Sequence, residues 1–233
     1  MKQLKIFALI LWVALSSCVK NNDDSSVVGD VIVVSKMSGT TVVYGLAYYA
    51  YAFSNLKSVS VVSSLDPTKK VALAINGSYK NNFYKEPGDT DYSATKPSAA
   101  SYTFNSVFES GETFASDDIL SSEVLAPATF EKCAYNSTQG YAEINWTALT
   151  DADSYAITIY DDEKNMIFKS AEFNNSIHTV TLSSAASGWA SGHPSNGKTY
   201  TVRVSAYEYE DNSYSAYDIQ STSISESNLV WGN

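Results

Sequence analysis

The sequence predicts an all-β protein built from two tandem β-sandwiches. Apolar and polar residues alternate with a period of two over several short segments, which is the pattern of strands with one buried face. Stretches rich in Gly, Asn, Asp, Pro and Ser separate these segments and favour turns. With 233 residues and 44% hydrophobic content, the chain is long enough to bury two cores.

Residues 29–126 are predicted to form the first, immunoglobulin-like sandwich of six or seven strands. The strands are expected near 30–35, 40–54, 58–63, 70–75, 101–108, 112–115 and Val124. In the second of them, Tyr49, Tyr51 and Phe53 share one face, and mainly small residues share the other. We expect the bulky face to pack inward; the alternative is an exposed row of rings that stack on sugars.

Between Ile75 and Ser101 the sequence shows no sustained periodicity and predicts a long loop. Aromatic residues accumulate there, which is unusual for disorder; they are Tyr79, Phe83, Tyr84 and Tyr92. Two interpretations remain open. The rings either fold the loop over the sheet as a cover, or form a binding loop with polar partners from Asn81, Asn82, Asp89 and Asp91.

The amino terminus has the features of a cleaved signal peptide over residues 1–17. Two lysines precede an apolar run that is too short to span a bilayer as a permanent helix. The sequence Leu-Ser-Ser-Cys ending at Cys18 resembles the lipobox of bacterial lipoproteins, which implies cleavage before Cys18 and its acylation. Residues 18–28 are then a flexible acidic stalk. Its lysine followed by acids resembles the export signal of Bacteroidota-type surface lipoproteins and implies an outer-membrane anchor facing the exterior.

In the second half of the chain, a series of apolar and aromatic residues occurs in a characteristic order along the predicted strands. These are Pro127, Phe130, Ile144, Trp146, Tyr155, Ile157, Ile159, Leu182 and the Tyr-x-Val-x-Val-x-Ala run from Tyr200 to Ala206. Over residues 127–226 this pattern resembles the fibronectin type III family. The resemblance implies a sandwich with Trp146 in the centre of its core and the Tyr200 hydroxyl bonded to backbone upstream. Proline in the segment 125–128 suits an interdomain hinge, and residues 227–233 are expected to be a tail.

Two segments of this second half are candidates for ligand or partner contacts. An insertion before Tyr200 contains Trp189, which either contacts a ligand or packs on the neighbouring domain. The loop between the last two strands, which often carries partner contacts in this family, begins with Tyr207 and Tyr209 and lacks the Arg-Gly-Asp tripeptide of integrin ligands. The candidate ligand-binding residues are therefore Tyr79, Phe83, Tyr84, Tyr92, Trp189, Tyr207 and Tyr209.

Charge and motif content argue against several functional classes. A formal net charge of −10 with a single arginine, Arg203, disfavours nucleic-acid binding. With Cys18 acylated, Cys133 has no partner and is expected to be a buried apolar residue. The two histidines lack metal-ligand spacing, and Asp161–Glu163 is interpreted as a solvated turn. The sequence predicts no enzyme, metal or cofactor, although a glycosidase carboxylate pair could be assembled by folding.

These observations predict a non-catalytic cell-surface lipoprotein that acts as an interaction, adhesion or spacer module through its loops. Its partners would be the membrane, through its acyl chains, and a surface protein. The alternative is a glycan-binding lipoprotein that serves a polysaccharide uptake or degradation system.

Overall fold

The computed structural model describes residues 26–190, 194–210 and 218–232. The predicted signal peptide, Cys18 and most of the predicted stalk lie outside these residues. Within them the chain forms sixteen strands and one short 3-10 turn at Asp89–Asp91. The strands are β1 (Val27–Ser38), β2 (Thr41–Ala52), β3 (Leu56–Ser63), β4 (Asp66–Ala72), β5 (Ala74–Asn76), β6 (Tyr79–Lys85), β7 (Ala100–Phe108), β8 (Thr113–Leu120), β9 (Phe130–Asn136), β10 (Tyr141–Trp146), β11 (Ser154–Tyr160), β12 (Met166–Lys169), β13 (Phe173–Asn174), β14 (Thr179–Leu182), β15 (Thr199–Tyr209) and β16 (Ile219–Val230).

In the described part of the chain these strands form three sheets, and the fold is all-β. The largest has nine strands in the order β12-β11-β15-β16-β1-β2-β6-β5, with β13 also paired to β11. A four-stranded sheet has the order β4-β3-β7-β8, and a three-stranded sheet the order β14-β10-β9. The two smaller sheets pack on the same side of the large one, so each half of the molecule is a sandwich.

The two sandwiches share the large sheet through a parallel pairing of β1 with β16. Val33 lies opposite Ser221, and Lys36 lies opposite Ile224. β1 also pairs with β2 along its whole length, and β16 pairs antiparallel with β15. The first and last strands of the described structure therefore lie side by side at its centre. β16 continues to Val230 and Trp231 is buried, so most of the predicted tail is strand and core.

The core of the first sandwich corrects the orientation predicted for β2. Tyr48, Ala50 and Ala52 are buried against the four-stranded sheet, whereas Tyr51 and Phe53 on the other face are exposed. The smaller face is inward because the facing sheet fills the space with its own bulky side chains, including Phe104 and Phe108. At Gly29 on β1 the Phe104 ring lies 2.4 Å from where a Cβ would stand, so this packing also requires glycine.

The core of the second sandwich confirms the interpretation of Trp146 and Tyr200. Trp146 is fully buried on β10 and meets the Tyr155 ring edge-on, with ring centroids 5.5 Å apart. The Tyr200 hydroxyl accepts a 3.0 Å hydrogen bond from the backbone N–H of Ser195, as expected for a tyrosine corner. Trp231, at the end of β16, completes this core.

Buried serines of the shared sheet bind the segment that links the halves. The Ser35 hydroxyl donates to the carbonyl of Leu125 at 2.6 Å, and the N–H of Leu125 donates to the Ser221 hydroxyl at 2.9 Å. The Ser225 hydroxyl donates to the carbonyl of Ala128 at 2.6 Å. No strand forms at Val124, because this segment bonds to side chains instead of a ladder. The linker is thus attached to both β1 and β16.

We predict that Trp146→Ala lowers the free energy of unfolding by about 3–5 kcal/mol, since it removes the largest fully buried side chain. Because β16 is paired to β1, the amides of the first sandwich should lose their protection from hydrogen exchange together with those of the second. Denaturant-dependent hydrogen exchange of β3 and β7 amides checks this. Phe114→Ala, which truncates an exposed ring, is the control; full protection of β3 and β7 in a destabilised Trp146→Ala variant would contradict the coupling.

Candidate functional site

The side of the nine-stranded sheet opposite the two small sheets, here called the open face, contains a groove of about 470 Å³. Six strands line it, from β12 through β11, β15, β16 and β1 to β2. Its walls include Tyr49 on one side and Tyr160 and Tyr207 on the other. A second depression, of about 550 Å³, shares Tyr92 and Arg203 with the groove and extends toward the linker. Both halves of the chain therefore build this concave surface.

The floor of the groove is apolar on β1 and β2, whereas threonine and serine side chains line it on β11, β15 and β16. Ile32, Val34 and Ala47 are buried there although they lie on the open face, because Tyr49, Tyr92, Ile219 and Ile224 pack around them. Apolar floors with a few polar groups at the rim are the usual composition of small-molecule sites. The groove has this composition.

One wall of the groove is the segment after β6, which folds back over β2. Tyr44 and Ser93 exchange backbone hydrogen bonds of 2.8 and 2.9 Å, and this holds the segment beside β2. The Pro87 ring then lies 2.6 Å from where a Cβ of Gly45 would stand, with the Tyr92 ring close by. Only glycine at position 45 allows this contact. Tyr92 therefore folds over the sheet, as the cover interpretation expects, and Pro87 lies there with it.

Two basic side chains at the rim, Arg203 of the groove and Lys36 of the neighbouring depression, contact tyrosine rings. The Arg203 guanidinium donates to Glu226 at 2.7 Å and lies 4.8 Å from the centre of the Tyr160 ring. The Lys36 ammonium lies 3.9 Å from the centre of the Tyr92 ring. These contacts hold both rings in place at the rim.

The hydroxyls of Tyr49 and Tyr207 in the groove have raised pKa values. Burial, followed by the Glu86 charge, raises the pKa of Tyr49, whose hydroxyl donates to that carboxylate at 2.9 Å. Burial likewise raises the pKa of Tyr207. Both groups therefore act as hydrogen-bonding groups and not as bases.

Beside the groove, Tyr49, Tyr51 and Phe53 form a row of rings along the open face, here called the aromatic row. Tyr51 is 44% exposed and Phe53 75% exposed. Tyr84 on β6 lies opposite Tyr49 and stacks on it, with ring centroids 6.3 Å apart and ring planes 19° apart. The exposure expected in the second interpretation is thus found for Tyr51 and Phe53, whereas Tyr49 is partly buried.

The remaining residues predicted from the segment 76–100 have different positions. The segment is not a loop throughout, because β5 and β6 form a hairpin that extends the large sheet. Phe83 is 6% exposed in the first core and cannot contact a ligand. Tyr79 is 69% exposed at the hairpin end, away from the groove. Of the predicted residues in this segment, Tyr92 lines the groove and Tyr84 supports the aromatic row.

Trp189 and Tyr209 stand outside the groove. Trp189 packs against Phe168 and Trp231 of its own sandwich, not on the neighbouring domain, and donates through Nε1 to the carbonyl of Ser183 at 3.2 Å. The Tyr209 hydroxyl bonds to Glu172, and its backbone N–H donates to Asp153. Tyr207, two residues earlier, does line the groove. His193 of the predicted insertion lies outside the described residues.

Two residues examined for chemistry have structural contacts. Asp161 Oδ1 accepts from the N–H groups of Glu163 and Asn165, which makes this segment a hydrogen-bonded turn as expected. Cys133 is half-buried and packs against the second core. Burial raises the pKa of its thiol, which disfavours the reactive thiolate.

Three carboxylates converge near one end of the groove, a cluster that the sequence did not predict. One oxygen each of Asp30, Asp118 and Glu210 lies within 4.8 Å of the others. Asp118 accepts from the N–H of Val31 at 2.7 Å, and Asp30 accepts from the N–H of Ile219 at 3.4 Å. Among the described residues these are the ones whose geometry could hold a cation. The three residues are far apart in the sequence, so no local sequence pattern predicted the cluster.

The cluster favours protonated carboxyl groups. Burial, then the charge of Asp118, raises the pKa of Asp30 from 3.8 to about 8. Burial also raises the pKa of Glu210 from 4.5 to about 7, and it raises the pKa of Asp118. A cation would bind only to the ionised form, so protons compete with it at neutral pH.

We predict that Asp30→Asn stabilises the protein, and that it does so more strongly at pH 8 than at pH 5. A pKa that is higher in the folded state means that folding takes up a proton between about pH 4 and 8; the contribution of Asp30 to stability is therefore lost as pH rises through this window. The expected gain at pH 8 is on the order of a few kcal/mol. Denaturant unfolding in the presence of a chelator measures this gain, with Asp162→Asn at an exposed position as the control. Equal differences in unfolding free energy from the wild type at both pH values would contradict the prediction.

Comparisons with known proteins found matches among solved structures. Neither a protein-family model nor a curated protein matches the sequence. Solved structures that match include fibronectin(III)-like modules of CbhA from Clostridium thermocellum, at 10% identity and a TM-score of 0.29, with 88% of this chain and 94% of that chain covered. A DUF3823 family protein from Bacteroides uniformis matches at 9% identity and a TM-score of 0.31, with 87% and 100% covered.

A third match is the BSP domain structure of a biofilm-associated protein, at 9% identity and a TM-score of 0.25. It covers 88% of this chain, which spans only 30% of the length of that one. These identities and TM-scores carry no inference about ligand or activity. No helix in the described ranges is long and apolar enough to cross a membrane.

Proposed function

We propose that the protein is a non-catalytic, lipid-anchored module of the cell surface that binds its partner on the open face of the nine-stranded sheet. The groove is the observation that supports this proposal most directly. It is concave, has an apolar floor, and is built by both halves of the chain. A site assembled from two sandwiches explains why they share a sheet instead of being joined by a free linker.

The chemistry of the groove supports binding over catalysis. Among the described residues that line it, none is a histidine or a cysteine. Burial raises the pKa of Tyr49 and of Tyr207, and Arg203 is paired with Glu226. These groups can orient a ligand by stacking and hydrogen bonds, which needs no proton transfer.

The anchor in this proposal is Cys18, placed by the lipobox resemblance at the end of the signal segment. Several acyl chains hold a protein stably at a membrane, whereas one alone is marginal. The stalk from Cys18 to the start of β1 at Val27 would then hold the sandwiches close to the outer membrane, on its external side.

A glycan is the second candidate partner, favoured by the exposed aromatic row.

We predict that Cys18→Ala releases the protein from membranes and abolishes metabolic labelling by palmitate, because the acylated thiol is lost. Fractionation and labelling of cells measure both effects. Proteinase treatment of intact cells should degrade the wild-type protein if it faces outward. Continued palmitate incorporation in the Cys18→Ala variant would exclude this anchor.

We predict that Thr222→Trp blocks binding, because Thr222 lines the groove on β16 and an indole there fills it. The chain from Val19 onward is immobilised and exposed to separate polysaccharide and protein fractions of cell-surface material. Wild type and Phe114→Ala should retain the same component. Thr222→Trp should bind this component about tenfold or more weakly. Undiminished retention by a folded Thr222→Trp variant would show that the groove is not the binding site.

A further inference from the structure

We propose that the groove and the aromatic row form one continuous track that binds a linear, uncharged saccharide chain several sugar units long. This inference rests on the proposed binding role of the open face and adds to it the class of ligand and its direction along β2.

The track is continuous because of the register between β1 and β2. Asp30 lies opposite Tyr49, and Val28 lies opposite Tyr51. The groove includes Asp30, Ala47 and Tyr49, so the next outward position along β2 is Tyr51, followed by Phe53. Alternate residues of a strand are about 7 Å apart, so the row extends the groove by about 14 Å beyond Tyr49. A ligand that fills both must be extended.

The side chains along this line suit sugars. Sugar rings carry apolar C–H faces that stack on flat aromatic rings, and hydroxyl groups that need hydrogen-bond partners. Tyr49 is held by its stacking on Tyr84, while Tyr51 and Phe53 meet edge-on with centroids 5.7 Å apart. Asn82 lies opposite Tyr51 on β6, and Glu86 lies at the groove rim. Apolar faces and polar groups therefore alternate along the track.

The open face favours a saccharide over a peptide. An extended peptide gains affinity mainly by pairing its backbone with a free strand edge. On this face β2 is already paired to β1 and β6, and β1 to β16 and β2. The face offers side chains and not unpaired backbone, and a saccharide requires only side chains.

Electrostatics favours an uncharged chain. The protein carries a formal net charge of −10, which repels polyanions. Two basic groups are already engaged, Arg203 of the groove with Glu226 and Lys36 of the neighbouring depression with Asp89, although Lys169 also lines the groove. An acidic polysaccharide would have to displace these carboxylates, whereas a neutral one would not.

The experiment uses the chain from Val19 onward. Affinity electrophoresis against β-1,3-glucan, β-1,4-xylan, β-1,4-mannan and amylose identifies a bound polysaccharide, and calorimetry then compares its disaccharide with its hexasaccharide. We expect the hexasaccharide to bind about tenfold or more tightly than the disaccharide, because it reaches the aromatic row.

Variants separate the two parts of the track. Phe53→Ala should remove most of the gain in affinity from two to six sugar units. Thr222→Trp should weaken both ligands, and Phe114→Ala, a matched truncation on the opposite sheet, should change neither. Circular dichroism confirms that each variant is folded.

The proposal is overturned if no neutral polysaccharide binds, if disaccharide and hexasaccharide bind equally, or if Phe53→Ala and Phe114→Ala have equal effects. Groove-dependent retention of a protein component without any saccharide binding would overturn the saccharide assignment and leave the binding role of the open face intact. Loss of both would overturn the proposed function as well.

Discussion

The parallel pairing of β1 with β16 is the interaction on which the rest of the structure depends. It joins the strands of two sandwiches into one sheet and places both small sheets on the same side of it. Without this pairing each half would present its own sheet edge, and such edges tend to pair with other chains. With it, the opposite side of the sheet becomes a single surface to which both halves contribute.

The row of serines on β16 follows from the same constraint. At the seam, where β1 pairs with β16, the inner side of the sheet faces the linker instead of a hydrophobic core. The buried backbone groups of the linker therefore need polar partners. Ser35, Ser221 and Ser225 provide them through buried hydrogen bonds to Leu125 and Ala128. Apolar residues here would leave the linker amides and carbonyls unpaired, at a cost of about 1–3 kcal/mol each. The seam is therefore a specific polar joint and not a hydrophobic interface.

The groove combines a rigid scaffold with side chains from distant parts of the chain. Tyr92 is positioned by the segment that folds over Gly45, while Tyr160 is held under Arg203. The carboxyl cluster of Asp30, Asp118 and Glu210 lies where β1, β8 and β15 come together. Its raised pKa values make the seam sensitive to pH, since ionisation there costs desolvation and mutual repulsion. Both features depend on the shared sheet.

The sequence by itself determined the fold class, most strand positions and the core of the second sandwich, because alternation and the order of Trp146, Tyr155 and Tyr200 are local or family-wide signals. It could not determine which face of β2 is buried, since alternation defines two faces but the facing sheet selects between them. Of the residues predicted to bind a ligand, Tyr92 and Tyr207 line the groove, Tyr84 supports the aromatic row, and Phe83 is buried in the core. Only the tertiary structure showed the β1–β16 seam, the groove and the carboxyl cluster, because each joins residues far apart in the chain whose proximity leaves no pattern in either segment.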